Sequence, residues 1–309
     1  MTATELTITG RRSRVRRHGR RRFTFESVTR VVALSAFGLY FALPMIWVVL
    51  APSKTRAQLA TLGPYGFGSF ENYGRAFQNL MSYHDGVLWT WVWNSVWYSV
   101  LSVLIALACC IPAGFALART PMKWRRLILI LTLVIMVTPG SARTIPTYLM
   151  LDAVGWLNSP LSVIIPQGFF PFGVYLTYIY FSTSLPPSLL EAARIDGASE
   201  WTTFWRIAVP LARPAVGLVT FFAFIESWND FFGPYIYLFS EKLYSLPVGL
   251  ASLISNSPGI IPGGTISDLP IFQPEVALAG MIVVVPILVI FLGFQRYLGA
   301  GVLDGAVKD

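Results

Sequence analysis

The chain has 309 residues, of which 55% are apolar and only 12% charged, with mean hydropathy +0.61. A soluble domain carries about twice that charged fraction, so the composition excludes a water-soluble globular protein and points to helices in a bilayer. The net charge is +8 with two adjacent cysteines, Cys109 and Cys110. There is no phosphate-binding glycine loop, Ser-His-Asp set or metal-ligand spacing, so neither covalent chemistry nor ATP hydrolysis is expected of this chain.

Residues 1–30 form a basic tail that includes RRSRVRRHGRRR. No aromatic residues interleave these arginines, so the tail reads as a solvated segment beside anionic lipid and not as a nucleic-acid binder. Arg21-Arg22-Phe23 weakly resembles a twin-arginine signal. The apolar run behind it lacks a small-residue cleavage site and leads into further spans, so it reads as uncleaved.

Six stretches reach the roughly 20 apolar residues that a bilayer crossing takes. They are 31–51, 93–118, 127–150, 160–182, 214–238 and 275–295. Segment 52–92 reads as an outer loop with turn signals at Gly63-Pro64, Gly66 and Gly68. Trp89, Trp91, Trp93, Trp97 and Tyr98 at its end read as an aromatic belt. Cys109 and Cys110 fall in the second span as small packing residues. Pro112-Ala113-Gly114 and Pro139-Gly140 are candidate hinges. Segment 239–274 is a second outer loop, with Pro258-Gly259 and Pro262-Gly263-Gly264. With six spans, 18 of the 23 basic residues share one side, which places both termini in the cytoplasm.

Between the fourth and fifth spans lies a polar segment, 184–214, that cannot sit in lipid. Ser184 is expected to cap a helix whose first turn holds Pro186 and Pro187. Glu191 is expected near its positive end, Ala192 and Ala193 permit close approach, and Gly197 ends it. Trp201, Phe204, Trp205 and Ile207 then recur at helical spacing as a packing face. Pro210 and Pro214 close the element.

Within the spans, Glu226, Trp228, Asn229 and Asp230 are candidates either to line a pathway or to pack helices, and Asn229 and Asp230 are alternatively candidates to cap a break before Gly233-Pro234. The spacing of Glu226 and Asp230 puts both carboxylates on one helix face. Arg143 is a second candidate at membrane depth and a possible partner of these acids.

Glu191-Ala192-Ala193, Asp196-Gly197-Ala198, Ile207 and Pro210 together resemble the EAA motif of bacterial ABC importer permeases. The chain is further similar to the carbohydrate branch, as in the maltose transporter's smaller permease. Trp228-Asn229-Asp230-Phe231, Leu246-Pro247-Val248-Gly249-Leu250, Gln295-Arg296-Tyr297-Leu298 and Gly305-Ala306-Val307-Lys308 carry that likeness, which spans residues 25–309. The resemblance implies an all-α integral membrane protein of six transmembrane helices, with a cytoplasmic coupling-helix loop between helices 4 and 5. The implied division is a basic tail 1–30, a permease domain 31–298 and a cytoplasmic tail 299–309. Glu191, Ala192, Ala193, Asp196, Gly197 and Ala198 would dock on an ABC ATPase dimer, which binds ATP and Mg. No cofactor or metal is expected on this chain. The remaining implied partners are a second homologous permease, an extracytoplasmic solute-binding lipoprotein, a di- or oligosaccharide and the bilayer of the inner membrane. Nucleic acid is not among them. Glycerol-3-phosphate or polyol permeases share the architecture. A secondary transporter fits less well, since no internal repeat is present.

Overall fold

Proline and glycine decide where the helices of this chain break. The computed structural model describes residues 25–256 and 271–306, and every regular element among them is helical. The residues of the basic tail before 25, the Pro-Gly turns at 258–264 and the last three residues lie outside the described residues. The chain divides after Ile46. The helix that crosses this division, α1 (Phe25–Leu50), is apolar along its length and contains Pro44.

From Trp47 onward the elements follow in order. A 3-10 turn at Ala51–Ser53 leads to α2 (Arg56–Thr61), α3 (Phe70–Ser82) and α4 (Val87–Arg119). Next come α5 (Arg125–Val137), α6 (Gly140–Ala153), α7 (Leu161–Gly168), α8 (Pro171–Thr183) and α9 (Pro187–Ile195). α10 (Glu200–Thr203) runs through a π-helical turn, Phe204–Ala208, into α11 (Val209–Leu211). The last elements are α12 (Arg213–Asn229), α13 (Phe232–Tyr237), α14 (Leu246–Asn256) and α15 (Gln273–Ala306).

Four helical runs are long and apolar enough to cross a membrane: Glu26–Ser53, Phe70–Arg119, Leu161–Thr183 and Gln273–Gln295. The expected span 127–150 is not one helix. It breaks at Thr138-Pro139, and α5 and α6 meet at 107°. Pro139 cannot donate an N–H, and Thr138 before it is pushed to an extended ψ of 122°, as the steric demand of proline requires. The expected span 214–238 also stops early: α12 ends at Asn229, and it meets the preceding Glu200–Leu211 run at 75°. Six spans result only if each bent pair counts as one. Pro112, by contrast, sits inside α4 without breaking it.

α4 is the central element, packed against α7, α8, α12 and α14. Its contact with α8 is close because small residues meet there. A Cβ at Gly114 would collide with the Thr177 side chain, and one at Gly173 would fall 2.8 Å from Cys110 Sγ. Thr177 donates to the Cys110 carbonyl at 2.9 Å, which joins the two helices. Cys110 is buried as a packing residue, but Cys109 is exposed.

The 52–92 segment is not an irregular loop. Lys54 is buried and donates Nζ to the carbonyls of Gly63 and Pro64, each at 2.8 Å. Ser53 is bonded by Gly68 N–H and, through its carbonyl, by Asn72. Of the residues read as an aromatic belt, Trp89 and Trp93 are exposed, but Trp91 and Tyr98 are core residues. Trp91, Asn94 and Tyr98 lie on one stripe of α4 and donate to the carbonyls of Glu241, Lys242, Tyr244 and Leu243. Ser95 accepts from Leu246 N–H at 2.7 Å. The stripe thus holds residues 241–246 by their main chain.

Candidate functional site

The 184–214 loop is built around α9. Ser184 does not cap it. Ser184 is the C-terminal cap of α8, and Pro186 stands at the N-cap of α9 with Pro187 in the first turn. Proline suits that position because the first N–H groups of a helix have no partner in any case. Glu191 consequently falls in the second turn, away from the positive end where the sequence placed it. The end of α9 is as expected. Gly197 has φ +76°, its N–H bonds Arg194 O at 3.1 Å, and Ala198 N–H bonds Ala193 O at 2.9 Å. This pair of bonds around a left-handed glycine is the Schellman arrangement.

Leu190 and Ala193 turn inward, while Glu191, Ala192, Asp196 and Gly197 are exposed and Ala198 is half-buried. The inward face joins a cluster of Ile111 and Phe115 from α4, Phe181 and Leu185, and Phe204 and Ala208 from the π-helical turn. Phe115 packs edge-on to Phe181 at 5.4 Å. The expected packing face is therefore only partly right: Phe204 is buried, but Trp201 and Trp205 are exposed. Together with Leu189 and an 86% exposed Ile195, they leave apolar surface beside the Glu191-Ala192 face. Such surface marks an interaction site.

Sequence reasoning missed three supports of this loop. Ser199 caps α10 by accepting from Thr202 N–H at 3.2 Å. Arg194 pairs with Glu200 at 2.9 Å across the Gly197 turn. Arg119, at the end of α4, donates to the carbonyls of Phe181 and Leu185. The serine before a Glu-containing run was the one legible signal among them.

The second candidate region surrounds the end of α12. Asp230 is the C-cap of α12, with a helical φ of −66° and an extended ψ of 116°, so the chain leaves the helix just after it, one turn beyond Glu226. Asp230 accepts from Gln167 Nε2 at 2.9 Å and from Gly233 N–H at 3.4 Å. It thereby caps the break before Gly233-Pro234. Gln167 in turn accepts from Ser227 at 2.6 Å, and Ser227 bonds Ser99 at 3.3 Å. This polar chain ties α4, α7 and α12 together. Trp228 is buried and donates to Val283 O at 3.0 Å, a packing role against α15. Glu226 and Asn229 are exposed.

Arg143 stands on α6, just past the 107° bend, and is half-buried. Its charge acts on Glu226 and Asp230, but among the described residues no ion pair within 4.0 Å joins it to either acid. Its Nε is buried without a hydrogen-bond partner among the described residues. The geometry brings Arg143, Glu226 and Asp230 into one neighbourhood and leaves Trp228 out of it.

A family model described as binding-protein-dependent transport system inner membrane component matches residues 110–304. This stretch runs from the last third of α4 almost to the end of α15. The arabinooligosaccharides transport system permease protein AraQ of Halalkalibacterium halodurans is 34% identical over 224 residues, covering 72% of this chain and 75% of the relative. Its counterpart AraQ of Bacillus subtilis is 29% identical over 286 residues, covering 90% of this chain and 95% of the relative. Among solved structures, a bacterial ABC transporter involved in the import of the acidic polysaccharide alginate contains a chain with the same fold. The TM-score is 0.75 at 24% identity, with 88% of this chain and 96% of that chain covered.

Proposed function

We propose that this chain, which belongs to the family of inner membrane components of binding-protein-dependent transport systems, is the permease subunit of an ATP-driven ABC importer of a di- or oligosaccharide. It forms half of a translocation pathway, and a second homologous permease supplies the other half. The observation that carries the reading is α9: a short stiff helix, closed by the Gly197 turn, with Glu191 and Ala192 outward, Ala193 buried, and Leu190 in one cluster with Ile111 and Phe115 of α4 and Phe181 of α8. A rigid element rooted on the central helix transmits a push.

Glu191, Ala192, Ala193, Asp196, Gly197 and Ala198 form the docking element for an ABC ATPase dimer, which binds ATP and Mg. The chain itself is a non-catalytic subunit that holds no cofactor. The charge bias supports a cytoplasmic location for this loop and for both termini. An extracytoplasmic solute-binding protein delivers the cargo to the other face, where the stripe on α4 holds residues 241–246. The permease names of the arabinooligosaccharide relatives support a carbohydrate. Glu226, Asn229 and Arg143 are the groups placed to meet it.

One observation favours a second reading. The half-buried Arg143 with an unpartnered Nε suits an anionic cargo such as glycerol-3-phosphate. Copurification of the cognate binding protein and mass spectrometry of its retained ligand separates the two. A neutral oligosaccharide supports the first reading. A phosphate ester supports the second, and a chain that retains no ATPase on purification defeats both.

A further inference from the structure

Arg119 ends α4 and is the one basic residue in its last turn. It lies one helical turn beyond Phe115, on the same face, and Phe115 packs against both Phe181 and Phe204. The guanidinium donates to Phe181 O at 2.5 Å and to Leu185 O. The first acceptor is in the last turn of α8. The second lies between α8 and α9.

These carbonyls need a donor for a reason written in the sequence. The last carbonyls of a helix have no partner within it. Here Pro186 and Pro187 follow directly and bring no N–H. A fixed cation also suits the negative end of α8. Both bonds come from Nη2, whose two N–H groups lie in the fixed guanidinium plane and so aim at both carbonyls at once, which a freely rotating ammonium does less well.

We infer that Arg119 is a positioning residue for energy coupling: it is the strut that fixes the entry of α9 to the end of α4. The inference rests on the transport role proposed above. α9 is seated through Leu190, in the cluster with Ile111 and Phe115 of α4 and Phe181 of α8, contacts that are apolar and can slide. The Arg119 bonds are directional and hold the two elements in register. α4 packs against α7, α8 and α12, so displacement delivered to α4 reaches the helices that carry Gln167 and Asp230.

The test uses the full chain purified with its copurifying partners in lipid nanodiscs, as the parent, Arg119→Gln and Arg119→Lys. Hydrogen exchange of the amides in 188–198 is read first. The Gln variant is expected to exchange about tenfold faster there, with the middle of α4 unchanged, and the Lys variant to fall between. Transport is read next in proteoliposomes, as arabinotriose taken up per ATP hydrolysed. This ratio is expected to fall about fivefold in the Gln variant while basal hydrolysis per assembled complex stays at the parent value. A residue that only stabilises the fold would lower uptake and hydrolysis together and leave the ratio unchanged, and that result overturns the inference. Parent-like exchange in 188–198 overturns it as well. If the Gln variant does not accumulate, the Lys variant decides: intermediate protection and a lowered ratio support the strut, and parent values for both reject it. A parent complex that hydrolyses ATP but takes up no arabinotriose counts against the sugar reading alone, and the exchange measurement still judges the strut.

Discussion

The indole ring of Trp91 lies directly on the α-carbon of Gly249. A Cβ at Gly249 would collide with Cδ2 and Cε3 of that ring and stand 2.7 Å from Cε2. The ring cannot easily yield, because Trp91 is fully buried and its Nε1 is bonded to Glu241 O at 2.9 Å. Gly249 belongs to the Leu246–Leu250 stretch, so the glycine there is required by a helix crossing.

Gly249→Ala is therefore expected to destabilise the fold by about 1–3 kcal/mol, the usual cost of forcing a methyl group into a packed core. Thermal unfolding in nanodiscs would show it as a lower midpoint. Gly74→Ala is the control, since nothing lies within 4 Å of a Cβ there. Equal midpoints for the two variants would contradict the contact.

Gln167 is the joint of the polar chain, and its removal should be felt at both ends. Gln167→Leu strips Asp230 of a 2.9 Å donor and Ser227 of a 2.6 Å acceptor. Leaving such groups unsatisfied costs about 1–3 kcal/mol. Ser227→Ala added to Gln167→Leu is expected to cost less than Ser227→Ala alone, because the partner is already gone. Unfolding midpoints of the two single variants and the double variant measure this coupling, and strict additivity would show the chain to be energetically idle.

Asp230 shows how far the sequence carried. Its type and its place before Gly233-Pro234 made a capped break one of the readings open for Asn229 and Asp230, and Gly197 was enough to foresee the end of α9, because both depend on local backbone chemistry. The helical class followed from composition, and the family from the spacing of Glu191, Ala192, Asp196 and Gly197. What could not be read depends on distant partners. Trp91 and Trp93 are two residues apart in a tryptophan-rich run, and only the position of Gly249, more than 150 residues on, decides that one is core. Arg119 looked like one more positive charge near a membrane surface, since its acceptors are main-chain carbonyls that carry no sequence signature. Pro139 marked a weak point, yet the 107° of the turn has no local signature: α5 packs on α8 and α6 on α13, partners far along the chain.

Gly197→Pro should break the link between α9 and α10. Proline is locked near φ −65° and cannot adopt the +76° of Gly197, and it also removes the N–H bonded to Arg194 O. Arg194 and Glu200 would lose their 2.9 Å pairing across the turn. The spans do not depend on this turn, so membrane insertion is expected at the parent level while arabinotriose uptake per ATP hydrolysed falls about tenfold. Gly197→Ala imposes only the left-handed strain of about 1 kcal/mol and is expected to retain most of the uptake. Parent-level transport by the proline variant would show that α9 does not act as a stiff element.

Glu191→Lys separates docking from folding. Glu191 is exposed in the second turn of α9 and forms no hydrogen bond or ion pair among the described residues. Its reversal should thus shift stability by no more than about 0.5 kcal/mol, as for other surface sites. If α9 seats in an ATPase cleft, the same change places a cation where a carboxylate was accommodated. Retention of the ATPase on purification is then expected to drop about tenfold, the equivalent of about 1.4 kcal/mol of docking free energy. Glu200→Lys is the comparison, since Glu200 is also exposed but is already engaged with Arg194. It should unsettle the loop without the same loss of ATPase. An unfolding midpoint at the parent value together with a lost ATPase identifies the outward face of α9 as the docking surface. Full retention of the ATPase by Glu191→Lys would move that surface to the exposed Ile195, Trp201 and Trp205 beside it.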